Sequence, residues 1–253
     1  MRLALLGATG GIGGHLLAWA VSEGHDVHVL ARRPELLPRP RLAPAAEVLA
    51  PNAQAAEVPA AEALAAEVPV PGGPAPAGRP PAPGRLTVTA GDSLDPGAVA
   101  EVVAGADAVL SALGPSGPRR TRTPSLLAES AANVIAGMDR AGVRRLINVS
   151  AAGAFITGDP DTGALTKAIL PRIFAGPFAD VREMEAAIRA SDLTWTLVRP
   201  SRLVNQPATG RYRVRADYPP PGGRKICRAD VAHFMALALT EDAWLRSAPA
   251  LAY

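Results

Sequence analysis

The sequence predicts an α/β fold: one doubly wound parallel sheet in a single domain, with a low-complexity insertion. Three observations carry this. Short apolar or alternating runs are regularly separated by stretches with apolar residues at helical spacing. Strands separated by helices need crossover connections, and crossovers build a parallel sheet covered on both faces. Glycines 7, 10 and 13 leave the first run and open the first helical stretch. The composition agrees: 48% of the 253 residues are hydrophobic and 19% charged, which suits a sizeable core and excludes a chain disordered throughout.

The elements follow in order. Arg2–Leu6 is a short apolar strand ended by glycine, and 12–22 has helical periodicity. Asp26–Ala31 alternates as a strand. Leu86–Ala90, 108–113, 145–150 and 194–199 are further strands, and 96–104, 124–141, 178–191 and 230–239 are helices. Asp95 before Pro96 is the expected cap of its helix, and Asp230 the expected cap of the last one. Arg2, an apolar run and Ala18-Trp19-Ala20 imitate a secretory leader, but five glycines interrupt the run, so strand, loop and helix are the expectation.

Residues 38–84 stand apart. They hold 12 of the 26 prolines, no aromatic residue, and the tetrapeptide AAEV three times at a spacing of ten. Too little apolar surface is available there to offset ordering entropy, so the segment is expected to be a disordered Ala/Pro-rich insertion within a domain spanning 1–253.

Composition also excludes classes. The net charge of +3 comes with no basic run interleaved with aromatics, so no nucleic-acid partner is expected. No apolar stretch reaches the roughly 18 residues of a membrane span, so no membrane partner is expected either. The one cysteine, Cys227, makes no internal disulfide, which fits a cytoplasmic, reducing location. The four histidines lack metal-site spacing, so no metal is expected. Oligomeric state is not legible.

The glycine loop points to a dinucleotide. Gly7 permits a tight turn, Gly10 lets a diphosphate approach the backbone, and Gly13 lets the helix pack closely on the sheet. The amides around Thr9, Gly10, Gly11 and Ile12 then face the phosphates at a helix start. The second strand ends in Arg32-Arg33, with no acid before Glu35. A guanidinium fork suits a ribose 2′-phosphate, and two cations are otherwise misplaced at a helix start. NADP(H) is therefore expected over NAD(H). Asp92 and Ser93 follow the third strand on the adenine side, with a local cap as the other reading of Asp92. Ala112, Leu113 and Gly114 end the fourth strand along the cofactor, Pro200 ends the sixth, and 114–118 is expected to border the nicotinamide.

GATGGIG, the strand ending in ARR, GDSLDPGAVAEVVAGADAVLSALG, GVRRLINVSAAG and TWTLVRP together resemble the atypical short-chain dehydrogenase/reductases. Residues 205–212 and 230–235 extend the likeness to the NAD(P)H-binding, NmrA-like group, nearest its flavin reductase/biliverdin reductase B subgroup. The resemblance implies a Rossmann-like fold, NADPH, and hydride transfer to a flavin, quinone or tetrapyrrole. Its sensor members imply the alternative, a non-catalytic NADP-binding regulator.

Two departures bear on chemistry. Counting from the family's serine at Ser150, the tyrosine position holds Gly163 and the lysine position holds Lys167. Arg202 stands where the biliverdin-reductase histidine would be, which argues against tetrapyrroles. Without the tyrosine, a ketone lacks its proton donor. A flavin- or quinone-like acceptor instead spreads the arriving charge over its own π system, so hydrogen bonds from Ser150, Ser111 or backbone amides are expected to suffice, with the proton coming from water. Ser150 also borders the cofactor. Arg202 and Asn205, after the sixth strand, are the expected contacts of a small-molecule hydride acceptor, with a solvated loop arginine as the equal reading of Arg202. Trp195 is expected to pack in the core, as is Tyr212, whose other reading is a substitute acid.

Overall fold

The computed structural model describes residues 1–38, 82, 84–114 and 125–253. The expected insertion and the loop expected at the nicotinamide lie outside the described residues, apart from their flanking positions.

The first half of the chain alternates as its periodicity predicts: β1 (Arg2–Leu6), α1 (Gly11–Ser22), β2 (Asp26–Ala31), β3 (Leu86–Ala90), α2 (Pro96–Val103) and β4 (Ala108–Ser111). The second half continues with α3 (Leu126–Ala141), β5 (Arg145–Val149), α4 (Ala164–Ile173), α5 (Ala175–Ala190) and β6 (Thr194–Pro200). It closes with β7 (Arg202–Val204), β8 (Arg213–Ala216), β9 (Lys225–Cys227), α6 (Arg228–Thr240) and β10 (Pro249–Ala252). The main sheet runs β3-β2-β1-β4-β5-β6-β10-β8, and β7 pairs with β9 in a small parallel sheet of its own. Every main-sheet pairing is parallel except β10 with β8 at one edge. Strand order reverses between β1 and β4, and ligands of such sheets bind in the crevice beyond that point.

Alternation along the strands sorts the core into two layers. Leu3 and Leu5 face Leu16 and Leu17 of α1 and Phe234 and Met235 of α6. Ala4 and Leu6 face Val99 of α2, Val134 and Met138 of α3, and Met184 and Ile188 of α5. Trp195 and Tyr212 are buried in these layers.

Two acids fix helix starts. Asp95 accepts from the Gly97 amide at 2.8 Å, as its position before Pro96 predicts. Asp180 of α5 reaches back to accept from the Leu127 and Ala128 amides of α3. The expectation for Asp230 is corrected: α6 begins two residues earlier, and the Cys227 sulfur is its cap, accepting from the Asp230 amide. Asp230 lies inside the first turn, where its carboxylate accepts from Thr209, Gly210 and the Tyr253 hydroxyl. It has tertiary partners to satisfy, so the cap passes to its neighbour.

Candidate dinucleotide and acceptor site

The glycine loop emerges from β1 at the switch point. Gly7 has φ +84°, and a β-carbon there would lie 2.5 Å from the Ala112 carbonyl oxygen. The turns leaving β1 and β4 are therefore in contact, which brings Ala112 and Leu113 to the loop. A β-carbon on Gly13 would lie 2.2 Å from the Gly7 carbonyl oxygen, so helix and turn touch only because position 13 has no side chain. Thr9, Gly10 and Gly11 are exposed. No side chain caps the start of α1, and its first turn carries no acid. Free amides at an uncapped, exposed helix start fit a diphosphate.

Arg32 and Arg33 end β2 and are exposed. Arg32 stands 3.9 Å from Asp92, a surface pair that costs little to rearrange. Asp92 also accepts from the Leu94 amide, forming a local turn. Ser93 is buried and shares a 2.8 Å hydrogen bond with Ser130 of α3, so its hydroxyl faces a helix. Among the described residues, nothing lies within 4 Å of a β-carbon placed on Gly114.

Ser150 follows β5, beside β4 and its terminal Ser111, and both serines are buried. The Ser150 hydroxyl donates to Glu185 of α5 at 2.5 Å. Glu185 also receives Arg199 of β6 in a two-pronged pair, Nε to Oε1 at 2.9 Å and Nη2 to Oε2 at 2.6 Å. The Arg199 guanidinium lies 3.6 Å over the Phe155 ring and donates to the Asp217 carbonyl. Serine, glutamate and arginine thus form one buried chain beneath the crevice. Its far end lines a cleft of about 560 Å³ with Phe155, Arg182, Asp217 and Tyr218.

The expected acceptor contacts lie elsewhere. Arg202 is exposed on β7, opposite Lys225, and does not line this cleft. Asn205 accepts from Arg228 at 2.6 Å, and the Arg228 side chain lies against Gly11. Asn205 is therefore on the glycine-loop side of the molecule. Pro200 ends β6, level with Leu251. Lys167 is on α4, four residues after the Gly163 that precedes the helix and one turn along from its start. Tyr212 is held by His233 at 2.8 Å; burial, and then Asp230, push its hydroxyl well above the ordinary range. It serves as packing.

Glu185, Arg182, Tyr218 and Arg228 escaped sequence reasoning. Glu185 carried a signal: with Val181, Met184 and Ile188 it shares the buried face of α5. A carboxylate on an apolar face needs a buried partner.

A Rossmann-like sheet with this loop at its switch point defines a nicotinamide-dinucleotide-binding protein. The NAD(P)H-binding family matches residues 73–242, and the chain belongs to it. Solved structures share the fold at low identity. A short-chain dehydrogenase/reductase from Veillonella parvula, in complex with NADP, is 19% identical with a TM-score of 0.68, covering 100% of this chain and 94% of that one. ChuY, an anaerobilin reductase from Escherichia coli O157:H7, is 21% identical with a TM-score of 0.66, covering 100% and 97%. A Burkholderia pseudomallei protein described as exported is 22% identical with a TM-score of 0.65, covering 100% of each chain. Among the described residues, no helix is long and apolar enough to cross a membrane.

Proposed function

We propose that the protein is an NADPH-dependent oxidoreductase that reduces a conjugated, flavin-like or quinone-like acceptor. The observation that carries this reading is the Ser150–Glu185–Arg199 chain. The Ser150 proton is directed to Glu185, and Arg199 neutralises that carboxylate. Ser150 therefore presents lone pairs to the crevice rather than a proton. Gly163, at the offset of the family tyrosine, has no proton to give. An acceptor that needs a strong acid as the hydride arrives is poorly served by such a site. One that delocalises the charge and takes its proton from water is well served.

The bound dihydronicotinamide supplies the hydride. The chain's own residues supply the rest. The amides of Gly11 and Ile12 hold the diphosphate. Arg32 and Arg33 clasp the 2′-phosphate, which favours NADPH. Phe155 and Tyr218 offer aromatic walls in the neighbouring cleft, and Arg182 offers a charge there for an acidic group on the acceptor. Buried, unpaired Cys227 is in keeping with a cytoplasmic location. The test is NADPH oxidation by purified protein with FMN, riboflavin and a simple quinone, followed by loss of the reduced nucleotide's absorbance. Turnover with at least one supports the reading. Tight nucleotide binding with no turnover across the panel overturns it.

A further inference from the structure

We infer that Arg228, held by Asn205 across the glycine loop, is a direct ligand of the dinucleotide's diphosphate. This rests on the dinucleotide reading of the site and names a contact at the opposite end of the chain from the loop.

Four observations converge. Arg228 is the first residue of α6, and its side chain crosses to the first residue of α1. A β-carbon on Gly11 would lie 2.4 Å from the Arg228 Cδ and 3.0 Å from its Nε. Any other residue at position 11 would displace that side chain, so the absence of a β-carbon serves the arginine as well as the loop. The Arg228 Nη1 donates to the Asn205 side-chain oxygen at 2.6 Å, which fixes the guanidinium by a neutral acceptor. Among the described residues no carboxylate pairs with it. Asp230, in the first turn of the same helix, has its oxygens on Thr209, Gly210 and Tyr253.

The electrostatics of this arrangement favour an anion. A cation is disfavoured at a helix N-terminus. Arg228 occupies two such ends at once, its own and that of α1, without a charged partner among the described residues. A diphosphate on the α1 amides would turn this repulsion into attraction. It would also give the planar fork the paired oxygens it recognises. Asn205 is then a positioning residue: it touches the arginine, and the arginine touches the ligand.

The diphosphate is common to NADPH, NADH and ADP-ribose, which sets the signature. Calorimetric titration of each into full-length Arg228→Ala is expected to show all three affinities falling by a similar factor, about tenfold or more for a lost charged hydrogen bond. Arg228→Lys keeps the charge and should recover part of the loss. Asn205→Ala should show a smaller loss with the same even profile, and it tests the idea if Arg228→Ala fails to fold. A loss confined to NADPH would move Arg228 to the 2′-phosphate and overturn the inference. So would unchanged affinity for ADP-ribose. Wild-type protein that binds none of the three would overturn the dinucleotide reading itself.

Discussion

Glu185 is the residue whose replacement is best defined by the structure. It is 1% exposed and carries three hydrogen bonds, two from Arg199 and one from Ser150. Glu185→Gln keeps the shape and one acceptor but removes the charge. Arg199, 4% exposed, is then left with Asp217, whose carboxylate is 3.7 Å away and 58% exposed. Breaking a buried pair by removing one partner costs about 3–5 kcal/mol. The retained acceptor and Asp217 put the expected loss near the lower end, about 3 kcal/mol. At about 2–4 °C per kcal/mol for a chain of this size, the melting temperature should fall by about 6–12 °C. Urea unfolding followed by circular dichroism measures the loss directly. The double variant Glu185→Leu with Arg199→Met should be less destabilised than either single change, because it leaves no unpaired buried charge. A Gln variant within about 1 kcal/mol of the parent would refute the argument that this pair is buried and mutually dependent.

Three further outcomes are expected. Ser150→Ala removes one of the three donors to Glu185, so it should cost about 1 kcal/mol; because Glu185 holds the serine's proton, the hydride-transfer rate and the nucleotide affinity should both change little, and a large loss of rate would show that Ser150 donates to the acceptor instead. Arg32→Ala with Arg33→Ala should weaken NADPH far more than NADH in calorimetry, and equal losses would remove the 2′-phosphate assignment. Asp230 gives a pH signature: burial pushes its carboxyl up, but hydrogen bonds from Thr209, Tyr253, Gly210 and Cys227 outweigh this and hold it below the ordinary value. A depressed folded value stabilises the protein above the unfolded carboxylate range of about 4, and that stability is lost as the pH falls from there through the folded value. Asp230→Asn should therefore show a shallower acid destabilisation in a pH series of urea curves, and identical slopes would count against the hydrogen-bond account.

The frame of the molecule was legible because it rests on local pattern. Periodicity places the first six strands and the helices between them, and three glycines locate the turn at the switch point. What escaped rests on contacts between distant residues. Glu185 meets Ser150 across 35 positions, and Arg228 meets Asn205 across 23. Strands β7 to β10 are short and depend on neighbours for pairing, so periodicity says little about them. Helix α4 buries none of its side chains; Leu165, Ile169 and Ile173 recur every four residues, but Pro171 inside the run works against a helical reading. Asn205 was expected on the acceptor side because it follows β6; its position was decided instead by a helix that starts beyond two further strands.

The partnership of α1 with α6 bears on how the protein is made. Leu16, Leu17 and Ala20 of α1 lie in the core layer that also contains Phe234 and Met235 of α6. A ribosome makes α1 long before α6, the helix it packs beside, which is not synthesised until residues 228–240. Until then the emerging polypeptide carries a greasy flank that α6 does not yet cover. Closure of this side of the sheet therefore waits for α6 to leave the ribosome.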